Sequence, residues 1–194
     1  MSKINRKFFF DYVRLHLFGG SLKQSQVEGL TAILDQWEAD QSNKDDRWLA
    51  YMFATVHHET DRKFQGIVEY GPDSYFKKYD GRADLGNNQP CDGLRFKGRG
   101  FVQLTGRRNY TKFGQILGID LAGNPALALD VANCVKILFH GMTNGSFTGK
   151  KLSAYFNPDK SDWINARRII NGTDKANLIA GYGNQYYASI SYIL

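Results

Sequence analysis

The sequence predicts a mainly α-helical protein in two lobes, with a loop-rich central lobe of short strands forming a cleft. Two observations predict it. Apolar residues recur at helical spacing through residues 1–60 and 107–194. Between them, residues 61–106 carry Gly66, Gly71, Gly81, Gly86, Gly93, Gly98, Gly100 and Gly106, with Pro72 and Pro90, and little helical pattern. Long loops in compact domains commonly carry function. The 194 residues contain no repeat, low-complexity tract or linker, which suits a single domain over 1–194. A chain of that length buries about 70 % of its unfolded surface and needs no staples.

The elements follow in order. Residues 5–17 and 24–37 read as two helices parted by Phe18-Gly19-Gly20, where glycine permits a positive-φ stop. Phe8, Phe9 and Phe10 on the first of these are expected to pack into the core rather than touch a membrane. Asp45 or Asp46 can cap a third helix over 47–58, whose Trp48, Leu49, Met52, Phe53 and Val56 keep helical spacing. Asn124-Pro125 opens a helix to about Met142, with proline at its first position. Ser161 caps another that ends at Asn171-Gly172. Thr173 or Asp174 starts the last, which carries Ile179, Tyr182, Tyr186 and Ile190.

Composition excludes several classes. With 42 % hydrophobic and 23 % charged residues, the chain is neither disordered, collagenous nor a coiled coil. No apolar run approaches the roughly 18 residues of a membrane span. Charges at Asp11 and Arg14 break any signal-peptide core, so no export signal is expected. Cys91 and Cys134 form no CxxC, and His57, His58 and His140 stand at no zinc-ligand spacing around them, so two free thiols are expected. The net charge of +6 is uneven: residues 92–114 carry +5, residues 1–20 carry +3 and residues 28–73 carry −6. A basic exterior with an acidic stretch fits a polyanionic partner and a separate carboxylate site.

Three segments carry chemistry. Thr55-Val56-His57-His58-Glu59-Thr60 closes the third helix, and its apolar stripe extrapolates to put Glu59 at the rim of the core. A carboxyl there is partly desolvated, which suits it to hold and donate a proton near neutral pH. A zincin motif fails because Arg62 stands where the second histidine is needed. Glu69 follows in Ile67-Val68-Glu69-Tyr70, where an extended chain turns it away from Val68. Two carboxylates across a cleft suffice to hydrolyse a glycosidic bond, one as acid and the other as base or nucleophile. The third segment is Lys97-Gly98-Arg99-Gly100-Phe101-Val102-Gln103-Leu104-Thr105-Gly106. Read as a strand, it sets Val102 and Leu104 on one face and Phe101, Gln103 and Thr105 on the other. It is neither a P-loop nor a GxGxxG fingerprint.

Taken together, HHET at 57–60, DGLRFKGRGFVQLTGRRNY at 92–110 and RIING at 168–172 resemble family 19 glycoside hydrolases, and among those the phage and prophage endolysins more than plant chitinases. The resemblance spans about residues 45–175. It implies a lysozyme-like helical domain, Glu59 as general acid, Glu69 as base and Thr105 as a residue that positions water. It also implies sugar contacts from His58, Gln103, Asn109, Tyr110 and Asn171, with no metal and no cofactor. One departure is visible. Chitinases commonly continue H-E-T with glycines, whereas Asp61-Arg62-Lys63 follow here, so Asp61 or Asp73 could stand in for Glu69.

The expected activity is therefore inverting hydrolysis of β-1,4 bonds in peptidoglycan glycan strands by an endolysin. Inversion implies carboxylates about 6.5–9.5 Å apart with water between them. Chitin is the alternative substrate. A noncatalytic cell-wall or nucleic-acid binding module is the alternative class, because Phe96, Phe101, Tyr110 and Phe113 interleave with basic residues. Nucleic acid would leave Glu59 without a task, and a monomer without that partner is expected. Arg95, Lys97, Arg107 and Arg108 are expected to draw the enzyme to an anionic wall or membrane surface. An endolysin of this kind waits in the host bacterial cytoplasm and acts on the wall from the periplasm.

Overall fold

The computed structural model describes residues 4–40 and 45–191. The fold class is the expected one, mainly helical with a few two-residue strands. Among the described residues, no helix is long and apolar enough to cross a membrane. The chain divides into two compact units: residues up to Phe64 with those from Leu138 onward, and Gln65–Ile137. The stretch 107–137, expected beside the terminal helices, falls in the second unit.

In the first unit, helices α1 (Arg6–His16), α2 (Gln24–Ala39), α3 (Asp46–Glu59) and α8 (Ala176–Ile190) form the core. Asn5 starts α1 by accepting the Phe8 N–H, and Asp45 starts α3 by accepting that of Arg47, both at 3.0 Å. Helix α3 is almost wholly buried and lies along α8, with Phe53 stacked on Tyr186 at 5.1 Å between ring centroids. Phe9 of α1 packs on Phe53 at 5.2 Å and is fully buried, while Phe8 and Phe10 are half-buried. Gly29 of α2 meets the Phe64 carbonyl so closely that a methyl group there would lie 2.0 Å from its oxygen.

Two later expectations fail for one reason, a second cap inside a continuous pattern. The helix expected from Pro125 is a 3₁₀ turn over Pro125–Leu129, and α7 (Val131–Asn144) starts afresh. Asp130 separates them, because its carboxylate accepts the Asn133 N–H at 3.2 Å. Ser161 caps nothing: it lies in strand β4 (Lys160–Ser161), which pairs with β3 (Phe156–Asn157). Asp162 caps instead, accepting the Asn165 N–H at 3.0 Å, and a 3₁₀ turn over Asn165–Ile169 follows.

The second unit contains β1 (Ile67–Val68), α4 (Asp73–Phe76), α5 (Asp92–Arg95), β2 (Arg99–Gly100) and α6 (Arg107–Leu117). Strands β1 and β2 are antiparallel, with Ile67 opposite Gly100 and Val68 opposite Arg99. The strand expected to run on to Thr105 reverses instead. Gly100 at φ 83° and Gln103 at φ 53° turn the chain, and Arg99 and Leu104 exchange both backbone hydrogen bonds. Gly100 is needed at its position, since a side chain would strike the Ala128 carbonyl. Phe101, Val102 and Leu104 are therefore all buried, in place of an alternating pattern.

Candidate functional site

In the first unit, α3 delivers His57, His58 and Glu59 at its C-terminus. His57 is 1 % exposed, with Nδ1 at 2.9 Å from the Tyr186 hydroxyl, and burial lowers its pKa to about 4. It is a core residue. His58 is half-buried, and its pKa is also lowered, chiefly by desolvation. Glu59 is partly buried at the core rim, as expected, and its Oε1 accepts from Arg167 Nη1 at 2.5 Å. Arg167 is itself buried, and its Nε donates to the Asp174 carbonyl at 3.1 Å. The other Glu59 oxygen has no hydrogen-bond partner among the described residues. Asn171 is exposed and accepts its neighbour Gly172 N–H at 2.8 Å.

The chain leaves α3 through a Schellman motif: Arg62 N–H donates to His57 O at 2.8 Å and Asp61 N–H to His58 O at 3.2 Å. Asp61 occupies the left-handed position at φ 49°, where glycine is the usual residue, and Arg62 is also left-handed at φ 61°. The exit conforms to what glycine favours although no glycine is present. Buried Thr60 fixes the next turn by donating to Val56 O at 2.7 Å and accepting the Phe64 N–H at 3.1 Å.

In the second unit, Glu69 follows β1 and extends its ladder, its N–H donating to Gly98 O at 2.8 Å. Both of its carboxylate oxygens carry donors, Tyr79 Oη to Oε1 at 2.8 Å and Gly98 N–H to Oε2 at 3.0 Å. Burial and the hydrogen bond to Glu69 raise the pKa of Tyr79, which keeps it a donor. Gln103 and Thr105 converge on the same place. A methyl group on Gly98 would lie 2.8 Å from Gln103 Oε1, 3.1 Å from Glu69 Oε2 and 3.2 Å from Thr105 Oγ1.

This arrangement is braced from behind. Gln103 Nε2 donates to Ile67 O at 3.3 Å and Gly100 O at 3.2 Å. The Thr105 hydroxyl donates to Gln103 O at 2.9 Å, and Asn109 Nδ2 donates to Thr105 O at 2.8 Å. Tyr110 corrects an expectation. It is fully buried, donates to Lys97 O at 2.9 Å and accepts from Arg99 Nη1 at 3.0 Å, so it holds the 97–99 backbone rather than a sugar. Of the substitute bases, Asp73 is 77 % exposed and lies 3.9 Å from Lys97, and Asp61 is exposed in the first unit.

The chain is similar to chitinases of known structure. Chitinase C from Streptomyces griseus HUT6037 superposes with a TM-score of 0.68 at 20 % identity, over 98 % of this chain and 77 % of that one. A bacterial family 19 chitinase does so with a TM-score of 0.66 at 21 % identity, over 97 % of this chain and 95 % of its own. The fold is the family 19 chitinase fold. In sequence, Chitinase 8 of Oryza sativa subsp. japonica is 38 % identical over 82 residues, which is 42 % of this chain and 28 % of that protein. The chain thus spans well under half of that relative. No protein-family model matches it.

Some participants escape sequence reasoning. Arg167 stands one position before the RIING motif, so the motif reached it without marking it. Tyr79 has no local signal. The basic run over 92–114 reads differently once placed. Arg107 pairs with buried Asp92 at 2.5 Å, and Arg108 donates to Ala83 O at 2.7 Å and Asp84 O at 3.0 Å. Arg95 donates to Ala122 O and Gly123 O at 3.0 and 3.1 Å. These guanidiniums tie loops of their own unit together, and Arg95 and Arg108 stay exposed while doing so. Cys91 is exposed and Cys134 buried, both as free thiols. Among the described residues, no three His, Cys, Asp or Glu side chains come together as a ligand set.

Proposed function

We propose that this chain is a glycoside hydrolase that cleaves β-1,4 bonds of bacterial peptidoglycan, as an endolysin, with Glu59 as general acid and Glu69 as general base. The observation that carries the reading is Glu69 itself. Donors hold both of its oxygens, and Gln103 Oε1 and Thr105 Oγ1 gather beside it around Gly98. Converging acceptor oxygens suit a hydrogen-bond donor, such as water about to lose a proton. Thr105 then positions that water, and His58, Gln103, Asn109 and Asn171 contribute sugar contacts. Glu59, partly desolvated and with one oxygen unengaged, supplies the leaving-group proton; Arg167 orients it. Residues 1–194 act in this reading as one catalytic domain, released to the wall from the host cytoplasm.

A second reading takes chitin as the substrate, and the similarity to proteins named chitinases favours it. Both readings use the same carboxylates. A turbidity assay on outer-membrane-permeabilised bacteria, run beside chitin-oligomer hydrolysis, separates them. Peptidoglycan hydrolysis predicts clearing by the wild type and its loss in Glu59→Gln, by about 10²–10⁴-fold. Chitin cleavage without clearing selects the second reading. Neither activity, or lysis by Glu59→Gln within tenfold of wild type, removes Glu59 from the acid role.

A further inference from the structure

Beside Glu69 the second unit holds a cation in an unusual setting. The Lys78 ammonium sits 3.3 Å from the ring centroid of Tyr75 and 4.7 Å from that of Tyr79. The two rings are nearly perpendicular, at 81° with centroids 6.5 Å apart, and form two walls around the charge. Ring quadrupoles attract an ammonium there and restrain its flexible stem. Tyr79 is the residue whose hydroxyl donates to Glu69 at 2.8 Å, so the ammonium is one side chain removed from the base.

Among the described residues the charge has no counterion. Nearby cations do: Arg82 pairs with Asp84, Lys97 with Asp73 and Arg107 with Asp92. Among the described residues, no carboxylate lies within ion-pair distance of Lys78, and the side chain is exposed. Tyr75 is 43 % exposed beside it, an apolar ring surface of the kind on which a sugar packs. A pre-positioned ammonium next to an exposed aromatic face complements a sugar that carries an anion.

We propose that Lys78, held by Tyr75 and Tyr79, forms a subsite for a carboxylate-bearing N-acetylated sugar unit bound beside Glu69. The inference rests on Glu69 belonging to the hydrolytic site, and it deepens that reading by selecting acidic wall glycan over neutral polymer. Two carboxylates share this chemistry, the lactyl group of a muramic acid unit and the acids of its peptide stem. A rim ion pair of this kind gives about a fivefold preference, screened by salt.

The test measures binding in a Glu59→Gln background, which slows turnover, by titration calorimetry. The probes are glycan oligomers of alternating N-acetylglucosamine and N-acetylmuramic acid, stem-free or stem-bearing, each with its carboxylates free or converted to primary amides. The free acid should bind about fivefold tighter than the amide at low salt, and Lys78→Met should bring that ratio to about one. Lys78→Arg should keep it. Lys77→Met, which loses the same charge one residue away outside the aromatic walls, should also keep it. The probe pair that shows the preference identifies the carboxylate. A ratio near one in the parent protein overturns the subsite, as does a ratio that survives Lys78→Met or falls equally in Lys77→Met. Wild-type hydrolysis of the same oligomers is scored separately: its absence removes the hydrolase reading, and the binding ratio still decides the subsite.

Discussion

Glu69 and Gly98 exchange hydrogen bonds: the Glu69 N–H donates to Gly98 O at 2.8 Å, and the Gly98 N–H donates to Glu69 Oε2 at 3.0 Å. Backbone pairing thus sets the carboxylate as well as the strand. Because Gly98 lacks a side chain, Gln103 Oε1, Glu69 Oε2 and Thr105 Oγ1 all border the space a methyl group would fill there.

Gly98→Ala should therefore damage activity more than stability. The new methyl would press on the far ends of three flexible side chains, which shift at small cost, but the proposed base and its water would move with them. Displacements near 1 Å cost about 10²-fold in rate. Steady-state hydrolysis and a thermal melt, measured together, check this. Loss of fold in step with rate would contradict it.

Asp61→Gly should stabilise the protein, because Asp61 fills a left-handed position at φ 49° that glycine adopts freely. The gain should be about 1 kcal/mol, or about 2–4 °C in Tm for a chain of this size. Hydrolysis should persist, since Glu69 is the proposed base. A variant with raised Tm and no activity would move the base to Asp61.

How much of this was legible in the sequence depends on whether the signal was local. Asn5 and Asp45 cap helices that periodicity already outlines, and Glu59 lies where the stripe of α3 extrapolates. The strand expected over 97–106 is present at Arg99–Gly100 and ends there, because alternation cannot register the positive φ of Gly100 and Gln103 that turns the chain back. Asp130 and Asp162 are caps that only geometry separates from ordinary polar positions. Arg167 meets Glu59 across 108 residues, a distance no pattern spans. Charge counting along 92–114 includes Asp92 but cannot say that Arg107 is the residue that pairs with it, or that Arg108 ends on backbone carbonyls.

Arg107→Gln should destabilise the second unit by about 1–3 kcal/mol, because it strips a buried carboxylate of its guanidinium while leaving the Asn88 and Gln89 N–H donors. Arg107 holds the Asp92 pKa below the ordinary value, so the folded state binds this proton more weakly than the unfolded chain. That contribution is fully present above about pH 4 and is lost as pH falls through the folded pKa. Denaturant melts between pH 3 and 7 should show a shallower acid loss in the variant than in wild type. Parallel curves would exclude the pair as the source.

Thr105→Ala should reduce turnover less than Glu69→Gln, since water stays available without the hydroxyl that positions it. The KM should change little if Thr105 acts on water alone. A large rise in KM with unchanged turnover would make Thr105 a sugar contact instead.

The most direct measurement digests purified peptidoglycan with wild type, Glu69→Gln, Asp61→Asn and Asp73→Asn, and maps the products by mass spectrometry. Two-carboxylate hydrolysis with Glu69 as base predicts new reducing sugar ends from wild type and both aspartate variants, and at least about a 10²-fold loss in Glu69→Gln. Products cut only at peptide bonds, or a near-wild-type yield from Glu69→Gln, would contradict the account.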